Sequence, residues 1–172
     1  MTTSDIPESR PQTLIVHYSA HGHTRRAAET IARVLGADAF VLEPADPYSE
    51  PDLDYNDPGS RVSREHVNHS LRHVELVQAT PDDFAGYQTI LVGYPIWWGE
   101  ASWVLGDFVR NNDFTGKTVV PFCTSFSSPV GASGRDLAAL TTTGDWKPST
   151  RLEASIDAVG VRRWLRRLGV DV

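Results

Sequence analysis

Three short stretches of this chain concentrate groups able to hold a ligand of nucleotide size. The first is Ser19-Ala20-His21-Gly22-His23-Thr24-Arg25. Here Ser19 and Thr24 offer hydroxyl donors, Gly22 lets the backbone approach closely, and Arg25 adds charge. His21 can also donate to a phosphate, which would make affinity depend on pH. If a helix starts in this loop, its first N–H groups are unpaired and carry partial positive charge, which suits a phosphate monoester. The same residues also fit a plain N-cap that needs no ligand, so the loop alone leaves both readings open. No Gly-Lys-Ser/Thr follows and only one glycine is present, which excludes a Walker-type loop and a dinucleotide fingerprint.

The second stretch is Gly93-Tyr94-Pro95-Ile96-Trp97-Trp98-Gly99-Glu100. Two adjacent indoles carry a large apolar area that is costly to leave in water, so either a flat ligand or protein packing must cover them. The third is Thr124-Ser125-Phe126-Ser127-Ser128-Pro129-Val130-Gly131-Ala132-Ser133-Gly134, rich in hydroxyls and free N–H groups, or else an ordinary polar loop with a helix cap at Ser133. Cys123 precedes it and is the only cysteine, so no internal disulfide or thiolate zinc cage can form. With no activating cation or base beside it in sequence, Cys123 is expected to be structural. His66, His69 and His73 share one face if the segment is helical, and a solvated or core face is expected there rather than a metal site.

The elements that must position these loops follow from alternating apolar β-branched runs and amphipathic stretches, the pattern of βαβ units around a parallel sheet. Strands are expected at Thr13–Tyr18, Ala39–Leu42, Thr89–Tyr94 and Thr118–Cys123. Helices are expected at Thr24–Leu35, stopped by Gly36, and at Ser102–Arg110, Arg135–Thr141 and Ala158–Leu168. The uncharged third and fourth strands belong in the sheet centre, covered on both faces. In the last helix Val161, Trp164, Leu165 and Leu168 form the inward stripe, and Arg162, Arg163, Arg166 and Arg167 a solvated face. Residues Pro44 to Pro81 break the rhythm with many acids, prolines at 44, 47, 51, 58 and 81, and a helical candidate around Arg61 to His73. This reads as a long excursion after the second strand that borders the ligand loops. Residues 1–12 read as a flexible tail and 13–172 as one domain.

Ligands of open α/β sheets bind outside the carboxyl ends of strands at the switch point, which the first and third strands flank. The first loop is similar to the flavodoxin signature, in which an apolar and an aromatic residue lead into Ser or Thr, then x-x-Gly-x-Thr; Val16, Tyr18, Ser19, Gly22 and Thr24 match. The run from Gly93 to Gly99 is similar to the corresponding loop of bacterial flavodoxin-family proteins that carry Trp-Trp-Gly. From about Thr13 to Leu168 the chain therefore resembles flavodoxin-like proteins. That resemblance implies a three-layer α/β fold whose five-stranded parallel sheet runs 2-1-3-4-5 with helices on both faces. It also implies one non-covalent FMN, its phosphate in the loop Ser19, His21, Gly22, His23, Thr24, Arg25. Pro95, Ile96, Trp97, Trp98 and Gly99 would contact the ribityl chain and ring, with one indole stacked on or edging the isoalloxazine. Thr124, Ser125, Phe126, Ser127 and Gly131 would meet the pyrimidine edge. A carbonyl near Gly99 could turn toward the flavin on reduction. Two positions depart from the family: His21 stands where another hydroxyl is common, and Phe126 is the only aromatic where many flavodoxins place a tyrosine.

Two activities compete within that family: single-electron exchange with protein partners, and NAD(P)H-dependent reduction of quinones, nitroaromatics or flavins. A non-catalytic flavin-binding module is a third reading. A response-regulator receiver fails, because its acids are replaced by His17-Tyr18-Ser19 and Tyr94-Pro95. The net charge of −6 and pI near 5.4 argue against nucleic acid and leave room for cationic redox partners. The polar start, the lack of a long apolar run and the single cysteine suit a soluble cytoplasmic protein, monomeric or homodimeric.

Overall fold

The computed structural model describes residues 12–171. Strand β1 (Thr13–His17) leads into helix α1 (His23–Leu35), then β2 (Asp38–Val41). Helix α2 (Arg61–Val67) lies in the long excursion. There follow β3 (Thr89–Trp97), β4 (Glu100–Ala101), α3 (Gly106–Arg110), β5 (Thr118–Thr124) and α4 (Ser133–Ala138). The chain closes with β6 (Asp145–Trp146), β7 (Thr150–Arg151) and α5 (Ala158–Arg167).

The main sheet runs β2-β1-β3-β5-β6, all parallel, with β7 beside the other end of β5. This is the expected doubly wound order, but the fifth position is filled by two fragments. The Lys147 N–H still reaches the Val119 carbonyl (2.8 Å) and the Leu152 N–H the Cys123 carbonyl (2.8 Å). Between them Pro148 has no N–H to give, which divides the edge strand.

Alternation along the central strands builds two cores. Ile15, Leu91, Val120 and Phe122 face α1 (Ala27, Ala28, Ile31) and α5 (Val161, Trp164, Leu165). Val16, Val92, Tyr94 and Cys123 face α3 and α4 on the other side (Phe108, Leu137). Gly93 is required where the layers meet most tightly, since a Cβ there would stand 2.4 Å from the Phe122 ring.

Several elements are shorter than the periodicity implied. The 102–110 segment opens as a 3-10 turn at Trp103–Leu105 before α3, and α4 ends at Ala138. Helix α2 ends at Val67 because Asn68 leaves helical dihedrals and its side chain accepts from the Ser70 N–H (3.1 Å), capping a separate turn at His69–Leu71. His66, His69 and His73 therefore do not share a helical face. Residues 1–11 of the expected tail lie outside the described residues, whereas Gln12 is tied down, its carbonyl accepting from Gln88 and Thr89. No helix among the described residues is long and apolar enough to cross a membrane.

Candidate functional site

All three loops emerge at the carboxyl ends of β1, β3 and β5. The first forms a tight turn in which the Gly22 N–H donates to Ser19 Oγ (3.0 Å) and Gly22 adopts φ 89°. No side chain caps α1, so the first N–H groups of this 13-residue helix remain open to an anion. Thr24 is buried and its Oγ1 pairs with Thr124 Oγ1 at 2.8 Å, which ties the first loop to the third. One hydroxyl of that pair must donate to the other, leaving the acceptor's own proton free for a ligand oxygen. His21 and His23 are exposed. Arg25 is exposed too and engaged with Glu29 (2.9 Å), so its charge is partly spent along the helix. Beneath the loop, at the end of β1, His17 is buried with neither ring nitrogen partnered, and burial holds its pKa down at about 4.

The second stretch is a hairpin rather than a loop. Ile96 pairs with Ala101 and Trp97 with Glu100, antiparallel, leaving Trp98-Gly99 as a two-residue turn. Both turn residues have positive φ, 48° at Trp98 and 77° at Gly99. Two-residue hairpin turns of this hand normally take Asn-Gly or Asp-Gly, and a bulky residue at positive φ is a strained position.

Trp97 is half-buried among other rings, edge-on to Tyr18 (5.8 Å), Tyr48 (5.5 Å) and Trp103 (4.9 Å). Trp98 is 39% exposed and lies flat against His66, ring centroids 4.3 Å apart at 8°.

The excursion supplies most of what surrounds this hairpin. Glu65 is buried and accepts from Tyr48 Oη (2.5 Å) and Trp103 Nε1 (3.3 Å), with Arg61 Nε at 3.5 Å. The Arg61 guanidinium also sits over the Tyr48 ring (3.8 Å). Burial, then the Glu65 hydrogen bond, push the Tyr48 phenol well above its ordinary range. Arg72 stacks over Trp103 (4.4 Å) and donates to the carbonyls of Glu65 and His66 (2.9 Å each) and to Glu100 Oε1 (3.2 Å). These residues were not among those the sequence nominated. One signal was available: Glu65 falls three residues after Val62, on the inward face of α2, where an acid needs a buried partner.

In the third loop Phe126 is 86% exposed and meets the His23 ring edge-on at 5.4 Å. The Ser125 hydroxyl donates to the Ser128 carbonyl. Ser127 and Gly131 are exposed, Gly131 at φ 51°. Ser133 is not the cap of α4: it lies inside the first turn, donates to the Val130 carbonyl (2.6 Å) and pairs with the Tyr94 hydroxyl (2.8 Å). Cys123 is fully buried and burial pushes its thiol up to about 12, which makes it inert as a nucleophile. His73 engages Asp107 (2.9 Å) and His66 engages Trp98, so these two histidines point to different partners.

A parallel sheet of this order, with an uncapped helix and an aromatic hairpin at its switch point, defines the flavodoxin-like class of folds. The flavodoxin family profile matches residues 12–168, and the chain belongs to that family. A candidate flavoprotein from Bacteroides eggerthii is 33% identical over 92% of this chain and 98% of its own, with a TM-score of 0.84. A Lactobacillus acidophilus flavoprotein solved in complex with FMN is 20% identical over 88% of this chain and 97% of its own, with a TM-score of 0.63. Oxidised flavodoxin 2 from Bacillus cereus shares 14% identity over 91% of this chain and 97% of its own, with a TM-score of 0.53. No curated protein sequence matches the chain.

Proposed function

We propose that the chain binds one FMN non-covalently at this end of the sheet and passes electrons through it. The observation that carries the reading is the joint placement of an uncapped 13-residue helix after β1 and a strained tryptophan hairpin after β3, on neighbouring strands. The first suits a phosphate and the second a flat ring, and a mononucleotide has one of each at opposite ends. Family membership and the FMN complex of the Lactobacillus acidophilus protein support the choice of FMN.

The residues present fit that group. Ser19, Gly22, His23, Thr24 and Thr124 would hold the phosphate, and Trp98 and Gly99 would border the ring. The third loop would meet its pyrimidine edge, with Ser125 and Phe126 the nearest candidates. FMN supplies one- and two-electron chemistry; the protein's part is to bind it, exclude water from one side and set its potential.

Electron exchange with a protein partner is the favoured activity. The negative net charge favours encounter with a basic partner. Reduction by NAD(P)H, with a small acceptor, is the second reading, favoured by the excursion that walls the aromatic hairpin.

Purified without added cofactor, the protein should be yellow and release FMN on denaturation. A colourless product that also fails to bind added FMN overturns the reading. Reduction by dithionite but not by NADPH supports the electron carrier, and rapid bleaching by NADPH supports the reductase.

A further inference from the structure

The Trp98-Gly99 turn is held from outside itself. Trp98 occupies a backbone region that ordinary residues avoid, at φ 48°, and such positions persist only where their surroundings over-determine them. Here the surroundings come from the excursion and from Trp103, whose indole stacks on that of Trp98 at 6.3 Å and 20°. His66 covers the Trp98 ring, and His66 is in turn fixed by Arg72, whose Nη2 donates to the His66 carbonyl (2.9 Å) and lies 3.4 Å from its Nδ1. A guanidinium only donates, so Nδ1 is the acceptor in this contact. The other arm of Arg72 reaches Glu100, the residue immediately after the turn, at 3.2 Å. One side chain, 14% exposed, thus clasps both the ring that caps Trp98 and the strand that leaves the turn.

We infer that His66 and Arg72 are positioning residues that lock the Trp98-Gly99 turn in its left-handed conformation and, through it, set the reduction potential of the flavin. Neither need touch the flavin. The inference rests on FMN occupying the proposed site. A turn locked in one conformation resists any rearrangement that reduction would favour, so releasing the lock raises the midpoint for the first electron.

The test uses the full chain. H66A removes the stack, and H66F restores a flat ring without the imidazole. In the FMN-loaded protein H66A should alter the relative affinity for oxidised and one-electron-reduced FMN by about tenfold, a first-electron midpoint about 59 mV higher, and H66F should return it to the wild-type value. In the apo-protein, near-UV circular dichroism from the stacked indoles should collapse in H66A and in R72Q while far-UV spectra stay native, and H66F should recover it. This second readout needs no flavin, so it judges the lock even if the FMN reading fails. Unchanged near-UV spectra in both H66A and R72Q overturn the lock. A wild-type or lower midpoint in H66A, with FMN bound, overturns its control of potential.

Discussion

The loop after β1 and the tryptophan hairpin stand on adjacent strands, yet they are built by different means. The loop is made mostly of its own segment: Ser19 closes on Gly22, α1 begins at once, and its distant ties are Thr24 to Thr124 and the edge-on contact of His23 with Phe126. The hairpin is held by chain far away in sequence: Tyr48, His66 and Arg72 reach it from the excursion, and Glu65 braces the wall through Tyr48 and Trp103. A local device suits a feature common to many nucleotides, a phosphate. A long-range one can be altered without touching the fold, and this chain places its long excursion there.

The largest test of that contrast is to remove the keystone of the wall. Glu65→Ala leaves the Tyr48 hydroxyl and the Trp103 N–H without their acceptor and takes away the carboxylate beside the half-buried Arg61, which keeps Asp46. The cost should be about 3–5 kcal/mol, read as a lower urea midpoint. If the two regions are independent, a helix-capping probe of α1 such as FMN-phosphate analogue binding should be affected far less than Trp fluorescence. A loss below about 1 kcal/mol would show that the excursion does not hold the wall.

The next largest effect belongs to the other region. His17 has its folded-state pKa lowered from 6.5 to about 4 by burial, so below pH 6.5 the unfolded chain binds a proton that the folded chain refuses. Its neutral form is fully compatible with folding above pH 6.5, and stability falls as pH drops from 6.5 to about 4. The accumulated loss is about 3 kcal/mol. His17→Leu should flatten the urea midpoint across that window; an unchanged slope would place the acid sensitivity elsewhere.

How much of this was legible in the sequence follows the same division. Strands β1, β3 and β5 announce themselves as uncharged β-branched runs, and the Ser19–Thr24 turn follows a spacing set by one loop. The fifth sheet position was not legible, because Pro148 splits it into pieces of two residues. The hairpin was hidden by its turn residue: Trp98 is the wrong chemistry for positive φ, and only tertiary contacts explain it. The excursion's pairing with the indoles is a matter of distant contacts that no local period records.

Trp98→Asn sharpens the comparison further. Asn tolerates left-handed backbone, so the turn's strain, roughly 1–2 kcal/mol, should be relieved while the ring against His66 is lost. FMN affinity should fall at least tenfold with thermal stability of the apo-protein unchanged or higher. A variant that loses both would mean that the His66 stack stabilises the fold more than the turn strains it.

The smallest expected change tests the tie between the first and third loops. Thr24→Val keeps the shape of a buried side chain and deletes one hydroxyl of the pair with Thr124. If that pair only braces the scaffold, apo-protein stability falls by about 1 kcal/mol and the affinity for FMN and for riboflavin changes equally. If its spare proton reaches the phosphate, FMN affinity falls about tenfold and riboflavin affinity, which has no phosphate to lose, stays where it was. Adding Thr124→Val completes the cycle: a coupling near zero in FMN affinity would assign the donor role to other groups of the α1 N-terminus, and a coupling comparable to the single effects would assign it to the pair.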